Sequence, residues 1–549
     1  MATDCNKIGR PSTALVWLRR DLRLSDNPAL MAAFEQAERL IPVYIHAPDD
    51  EAPWQPGAAS RWWLHQSLCA LSEQLHGRGS RLIIREGETL ATLRALISET
   101  GATQVHWNRC YEPALIARDS RLKQALRAEG IECASHNAAL LSEPWALKTG
   151  SGEPYRVFTP YWRRLGPRLE EDAALLAPAR APDGLPPVPT QLAGLSVDAL
   201  ALRPRIPWDQ GLSETWQPGE IGAQQALEHF LAGPIRPYRE ARDWPAELGT
   251  SRLSPYLHFG EIGPRQILSQ IQAQIQAQIQ AQLLRARTNP AFGPCPDVNA
   301  RSGDGPNANL KSDADPNSVL NSAPDSALID KAIAEPFLRE LGWREFSHQL
   351  LYHFPHTPSE PLNPRFADFP WRREDSATLL EAWQRGRTGI PIVDAGMREL
   401  WHSGWMHNRV RMIVASLLTK NLRLPWQEGA RWFWDTLVDA DLANNTQGWQ
   451  WSAGCGADAA PYFRIFNPVR QGERFDPQGR YVRRWCPELA KLPDRLIHQP
   501  WEAPASLLAQ SGIQLGREYP APIIDLKTSR AEALAAYEQI KGLTRTQGT

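Results

Sequence analysis

Between Gly396 and Trp451 the chain sets seven tryptophans (Trp401, Trp405, Trp426, Trp432, Trp434, Trp449 and Trp451) among Arg409, Arg411, Asp439, Asp441, Asn408, Asn444 and Asn445. Buried polar and charged groups are costly unless each finds a partner, so a core built only for packing gains nothing from that mixture. Indoles pack flat on other planar π-systems and pass electrons, while Arg, Asp and Asn supply the hydrogen bonds of a polar heteroaromatic ring. Two readings stay open on the residues alone: a buried flavin-like cofactor ringed by tryptophan, and a Trp-rich helical core with salt bridges on its surface. On a helix, Asn408, Arg411 and Met412 share a face, at i, i+3 and i+4. Asp439 and Asp441 flank Ala440, and two acids so close resist ionising together unless cations hold them, which points to Arg409 or Arg411. A metal is the rival occupant of this pair, but no His or further carboxylate stands at suitable sequence spacing.

Two further stretches carry usable chemistry. In Tyr238–Gly260 (YREARDWPAELGTSRLSPYLHFG), Gly249 reads as a hinge, and Thr250, Ser251 and Ser254 bring hydroxyls to a helix start. Exposed N–H groups there make a phosphate cradle, or Thr250 or Ser251 is a plain helix cap. In Phe337–Gln349 (FLRELGWREFSHQ), helical spacing puts Glu340, Trp343, Arg344 and Ser347 on one face. A carboxylate beside an indole on the lip of a pocket binds a planar, hydrogen-bonding ligand. The bland alternative is an exposed Glu–Arg pair beside a core tryptophan.

The elements that must hold these residues follow from the apolar pattern. Ala14–Trp17, Leu40–His46, Ser80–Arg85, Thr103–Trp107 and Glu132–His136 read as short buried strands. They alternate with helices over Ala29–Glu38, Arg61–Leu75, Thr89–Thr100 and Ser120–Glu129, the first capped by Asp26 and Asn27 and opened by Pro28. Residues 13–140 are therefore expected to be a doubly wound α/β domain with a parallel sheet, its ligand, if any, at the carboxyl ends of the strands. No GxGxxG follows the first strand, so the usual dinucleotide fingerprint is missing. A connection spans 141–219, rich in Pro, Ala and Leu from Ala174 to Pro207. Helical signals dominate from Glu220, so the second domain, 220–520, is expected to be all-α. It is interrupted at 270–327 by the repeat QIQAQIQAQIQAQ, read as a helix extension, and by a Pro-, Asn-, Asp- and Ser-rich stretch read as disordered.

The chain has 549 residues, more than one ordinary core, and a net charge of −1, so a nucleic-acid partner needs a local basic face rather than an overall polycation. Its seven cysteines are scattered without CxxC, which argues against disulfide, zinc or iron–sulfur frameworks and fits a reducing, cytoplasmic setting. No secretory leader and no membrane-length apolar run is read.

The stretches GTSRLSPYL, GWREF, GWMHNRVRM, DADLANN and GWQW, in that order, with ALVWLRRDLRLSDNPAL near the start and YPAPIIDL near the end, resemble the photolyase/cryptochrome family of blue-light flavoproteins. FLRELGWRE, GRTGIPIVDAGMRELW and YFRIFNP look closest to class III repair enzymes and plant cryptochromes. The resemblance implies an N-terminal antenna domain, a long linker, an all-α FAD domain and a C-terminal tail, 521–549. It implies FAD held by Tyr238, Thr250, Ser251, Arg252, Leu253, Ser254, Arg411, Asp439, Ala440, Asp441 and Asn445. It implies a lesion pocket of Glu340, Trp343, Asn408, Met412 and Trp451, and an electron wire of Trp449, Trp426 and Trp371. Arg242, Arg344 and Arg464 become candidates for DNA phosphate contacts. Trp343 and Met412, with Asn445 where plant receptors carry an acid, favour repair of cyclobutane pyrimidine dimers, a carbon–carbon lyase reaction. A blue-light receptor of the cryptochrome type is the alternative, for which a tail under 30 residues is short. A second, antenna chromophore is implied. The Asn–Glu pair of one folate-binding bacterial class falls here at Ala114 and Leu115, so methenyltetrahydrofolate bound in another way is expected, with 8-hydroxy-deazaflavin as runner-up. Trp62, Trp63 and Glu112 are either part of that site or ordinary packing. A monomer acting on damaged DNA is expected.

Overall fold

The computed structural model describes residues 12–171, 178–288 and 329–546. Five short runs near the N-terminus form strands, the central ones apolar and covered on both faces: β1 (Thr13–Leu18), β2 (Arg39–His46), β3 (Ile83–Glu86), β4 (Gln104–Asn108) and β5 (Glu132–His136). They pair in the order β3-β2-β1-β4-β5, every pair parallel, with Val16 opposite Pro42 on one side and His106 on the other. The crossovers are α1 (Pro28–Gln36), α2 (Ala58–Gly77), α3 (Thr89–Thr100) and α4 (Pro113–Ala128). The order of strands reverses between β1 and β4, the switch point at which such sheets open a crevice for a ligand. Asn27 caps α1 by accepting from the Leu30 amide at 3.1 Å. The fourth helix begins seven residues before the expected Ser120, because Pro113 opens it ahead of the polar run that hid its start.

The connection is not free of structure. Phe158–Glu171 is a helix that packs on the Lys331–His353 helix. The Pro-rich part lies back along the sheet: the Leu185 amide donates to Arg78 O and the Leu195 amide to Ile84 O, with Leu185, Val188 and Leu192 buried. From Glu220 onward the regular elements among the described residues are helices, apart from one isolated bridge. The glutamine repeat lies inside a helix, Pro264–Thr288, as the pattern suggests; the rest of the expected insertion, 289–327, lies outside the described residues. The segment after Ala521, read as a C-terminal tail, carries the helix Leu526–Thr546, with Ala533, Ala536 and Ile540 buried and Tyr537 stacked on Tyr462 at 4.8 Å. Its Glu532 meets both Arg372 and Arg423 at 3.1 Å. No helix among the described residues is long and apolar enough to cross a membrane.

Candidate functional site

Three helices of the second domain carry most of the residues singled out by the sequence. Leu442–Ala453 packs on both Lys331–His353 and Asn408–Ser416. It therefore stands between Glu340 and Trp343 on one side and Asn408, Arg411 and Met412 on the other, while itself carrying Asn445, Trp449 and Trp451. Gly448, on the same helix, is exposed, and a Cβ added there meets nothing within 4 Å. Asn408 and Ser254 are also exposed. Polar or backbone surface is thus left open beside a well-packed core.

Several side chains are held from both ends. Arg411 donates through Nε to Met406 O at 2.7 Å and grips the Asp439 carboxylate at 2.8 and 3.1 Å. The sequence left Arg409 or Arg411 as the acid pair's partner. Arg409 instead binds Asp243 at 2.6 Å, over the Phe475 ring. Asp441 caps its helix by accepting from the Asn444 amide at 2.8 Å and the Asn444 side chain at 2.7 Å. Its other oxygen faces His348 Nε2 at 3.4 Å and His258 Nδ1 at 3.9 Å. The imidazoles and these donors keep the Asp441 carboxyl well below its usual range despite burial. No histidine seemed near this pair in sequence, yet two stand beside it in space. Asn445 donates through Nδ2 to Ala430 O at 3.0 Å. Only the NH₂ end can face a carbonyl, so its amide oxygen is the free end. Ala440 and Leu253 are buried backbone-level packing.

Glu340 is paired with Arg242 at 2.6 Å, both partly exposed. Trp343, one turn on, stacks at 3.9 Å on Phe158 from the connection, which the sequence did not flag. Met412 and Trp451 are half-buried. Arg344 departs from expectation: it turns inward to donate to Ala139 O at 2.8 Å and lies 3.4 Å from buried Glu345, which leaves little of it for a phosphate. Arg464 is exposed, beside exposed Phe463.

In the hydroxyl-rich loop, Gly249 approaches so closely that a Cβ would lie 2.5 Å from Ala241 O. The helix Ser254–His258 has Leu253 as its cap and no side-chain capping bond, so neither Thr250 nor Ser251 is a helix cap. Arg252 takes a left-handed φ of 52° and lies between two indoles, 4.4 Å from Trp216 and 4.8 Å from Trp405. Its Nε has no acceptor, and burial lowers its pKa. With Thr250, Glu399 and His407 it lines a cavity of about 240 Å³. Among the described residues it makes no salt bridge, although Glu399 acts on it across the cavity, and such a guanidinium fits an anionic group such as the FAD phosphates. Tyr238 packs its ring on Phe230 and Phe337, each at 5.5 Å.

Trp449 is buried against the Trp426–Thr436 helix, whose Gly429 leaves no room: a Cβ there would lie 2.0 Å from the indole. Its ring neighbours are Phe433 at 5.0 Å and Trp383 at 6.1 Å, and its Nε1 has no acceptor. Trp426 is buried in the same cluster, and Trp371 sits at its edge, 4.5 Å from Phe369.

A second cavity, of about 210 Å³, opens where the carboxyl ends of β1, β2 and β4 meet the helical domain. Trp17, Arg20, His46, Glu51, Arg61 and Trp434 line it. Leu115 also lines it, whereas Glu112 is committed to Arg20. Trp62 and Trp63 are core: Trp63 stacks on Phe259 at 5.9 Å and donates to Glu261.

Two family models match the chain: one described as DNA photolyase at residues 14–183, the other as the FAD binding domain of DNA photolyase at 337–539. The deoxyribodipyrimidine photo-lyase of Agrobacterium fabrum is 43% identical over 536 residues, covering 97% of this chain and 99% of that protein. The chain belongs to the photolyase/cryptochrome family. Cryptochrome-2 of Arabidopsis thaliana is 38% identical, covering 97% of the chain and 79% of the receptor. A bacterial class III photolyase from Agrobacterium tumefaciens superposes with a TM-score of 0.84 at 43% identity, covering 98% of this chain and 100% of that one. The parallel sheet followed by a helical FAD-binding domain is the photolyase fold.

Proposed function

We propose that this chain is a light-driven enzyme that splits cyclobutane pyrimidine dimers in DNA, with reduced FAD as its cofactor. The observation that carries the reading is the convergence of the elements bearing Glu340, Trp343, Asn408, Met412 and Trp451 on one helix, Leu442–Ala453. The near-full-length similarity to photo-lyases supports it.

When bound, reduced FAD would supply the photoexcited electron and its return, with no net redox change. The protein's own residues bind, orient and exclude water. The damaged dinucleotide, poorly stacked in its duplex, flips out at low cost. It stacks on Trp343 and Trp451, each contact worth roughly 1–3 kcal/mol. Phe158 behind Trp343 fixes the plane of that indole. Glu340, steadied by Arg242, accepts from the base edge and steadies charge developing on it in a dry site. Asn445, whose Nδ2 donates to Ala430 O, would have its amide oxygen free for an N–H of the reduced ring. An amide is no acid, which separates this pocket from receptors that place Asp there. Arg411, Asp439 and Asp441 would hold the ring, and Arg252 with the Thr250–Ser254 loop would hold the phosphates.

A second chromophore would occupy the cavity at the sheet's switch point, with methenyltetrahydrofolate the first choice and a deazaflavin second; Trp17 there is already covered by Arg19 and Arg118. Absorbance of the heat-released chromophores tells the two apart.

The test is illumination of the reduced protein with a dimer-containing oligonucleotide. Thymine absorbance should recover. No recovery with reduced FAD bound would leave the receptor reading, which the similarity to Cryptochrome-2 keeps as the alternative.

A further inference from the structure

His348 lies on Lys331–His353 in the seam between the two domains, and it is buried. Its Nδ1 is 3.0 Å from Arg344 O, a carbonyl that can only accept, so Nδ1 carries a proton. Its Nε2 faces the Asp441 carboxylate at 3.4 Å. A neutral ring would turn a lone pair toward that anion. Both ring nitrogens therefore face acceptors, which suits the imidazolium alone. The other charged or titratable neighbours are Arg344 on its own helix, Glu345 beside it, His258 from the Ser254–His258 helix, and Arg20, Asp21, Arg109, Cys110, Tyr111 and Glu112 from the α/β domain. All of these but Glu345 line, with His348 and Asp441, a polar cavity of about 30 Å³, room for a water or two. Arg344 opposes a proton on His348 and Asp441 favours it, and the balance raises the pKa of His348 above its ordinary value even though burial works against it.

We infer that His348 is a positioning residue for the flavin: as a buried imidazolium it balances the charge of Asp441, a carboxylate that the Asn444 donors also hold, and so steadies the cap of the helix that presents Asn445 and Trp449. This rests on the FAD reading of the site, and it adds the group that balances the Asp441 charge. Asp441 is a negative charge that would repel an anionic reduced ring. Pairing with His348 cancels most of that repulsion, because a close opposite charge in a buried site is weakly screened. Without the cation, the bound flavin becomes harder to reduce.

The experiment has two arms. In the FAD-free protein, [13C]histidine carbon shifts, assigned by the signal lost in His348→Gln, should show His348 still charged at pH 7.5; a neutral ring there overturns the inference, whatever the flavin does. In the FAD-loaded protein, spectroelectrochemistry of His348→Gln should give a more negative flavin midpoint potential than the unaltered chain. His348→Lys, which keeps the charge, should recover part of the shift. Adding Asp441→Asn to His348→Gln should reverse it, since the uncompensated charge is then gone. A His348→Gln potential equal to the parent's, or a shift unaffected by Asp441→Asn, overturns the inference. A chain that takes up no FAD sinks the functional reading instead, while the first arm still reports on His348.

Discussion

Trp449 shows what one side chain does here and how its neighbours make it readable. It is the electron donor proposed nearest the flavin, buried and walled by Phe433 and Trp383. Trp449→Phe keeps a ring of similar thickness but removes an easily oxidised indole. Photoreduction of the oxidised protein should stop, while protein reduced chemically before illumination should still repair dimers. Undiminished photoreduction would exclude Trp449 from the path. Glu340→Gln keeps a carbonyl to accept from the base but removes the charge that holds Arg242. Repair per absorbed photon should fall several-fold with the flavin spectrum unchanged, whereas loss of FAD would mean that Glu340 serves the cofactor. The short motifs made these positions legible, because each places its residues within one or two turns of a helix. What they hid is pairing through space. Arg409 finds Asp243 and Asp441 finds His348 across 166 and about 90 positions of chain, respectively, and no local period records such a choice.

At the level of the element, Gly429 and Glu261 decide how helices meet. Gly429 lets the Trp426–Thr436 helix lie directly on the Trp449 ring, so Gly429→Ala must push the two apart. Overpacking of this kind costs about 1–3 kcal/mol or more. A lower Tm together with slower photoreduction is expected, and an unchanged Tm would show that the helices yield freely. Glu261 ties three segments: it accepts from Trp63 and Ser67 on α2 and from the Gly219 amide at 2.7 Å. Full burial outweighs these donors and pushes its pKa from the ordinary 4.5 up to about 8. Between those values the folded chain keeps a proton that the unfolded chain has released. Its contribution to stability is therefore complete below pH 4.5 and is lost as the pH rises through about 8. Glu261→Gln removes the titration, so the parent's stability minus the variant's should decline from pH 5 to pH 8; a flat difference would place Glu261 as an ordinary carboxylate. The strands were legible because burial on both faces leaves nearly unbroken apolar runs. The Leu526–Thr546 helix was not, because its buried face is built of small residues such as Ala533 and Ala536, among many charges.

Across the whole molecule the charge nearly cancels, at −1, so any grip on DNA depends on where cations are displayed rather than on how many there are. The three arginines proposed for phosphate contact are in unequal positions. Arg344 is spent on Ala139 O at the domain seam, and Arg242 on Glu340. Arg464 is exposed next to Phe463, which is 57% exposed, on a loop whose backbone is anchored by Lys420 Nζ donating to Arg464 O at 3.0 Å. A fixed backbone under a free guanidinium suits a phosphate contact, since little further ordering is needed when DNA arrives. Arg464→Ala should weaken binding by a similar factor for damaged and undamaged duplex, because a phosphate contact carries no sequence or lesion information. The slope of log K against log salt should become shallower by about 1, the release of one counterion. Arg344→Ala should leave that slope unchanged and lower thermal stability instead, because an inward donor is lost next to buried Glu345. If the two variants exchanged these effects, DNA would have to approach along the domain seam rather than across the Phe463–Arg464 loop.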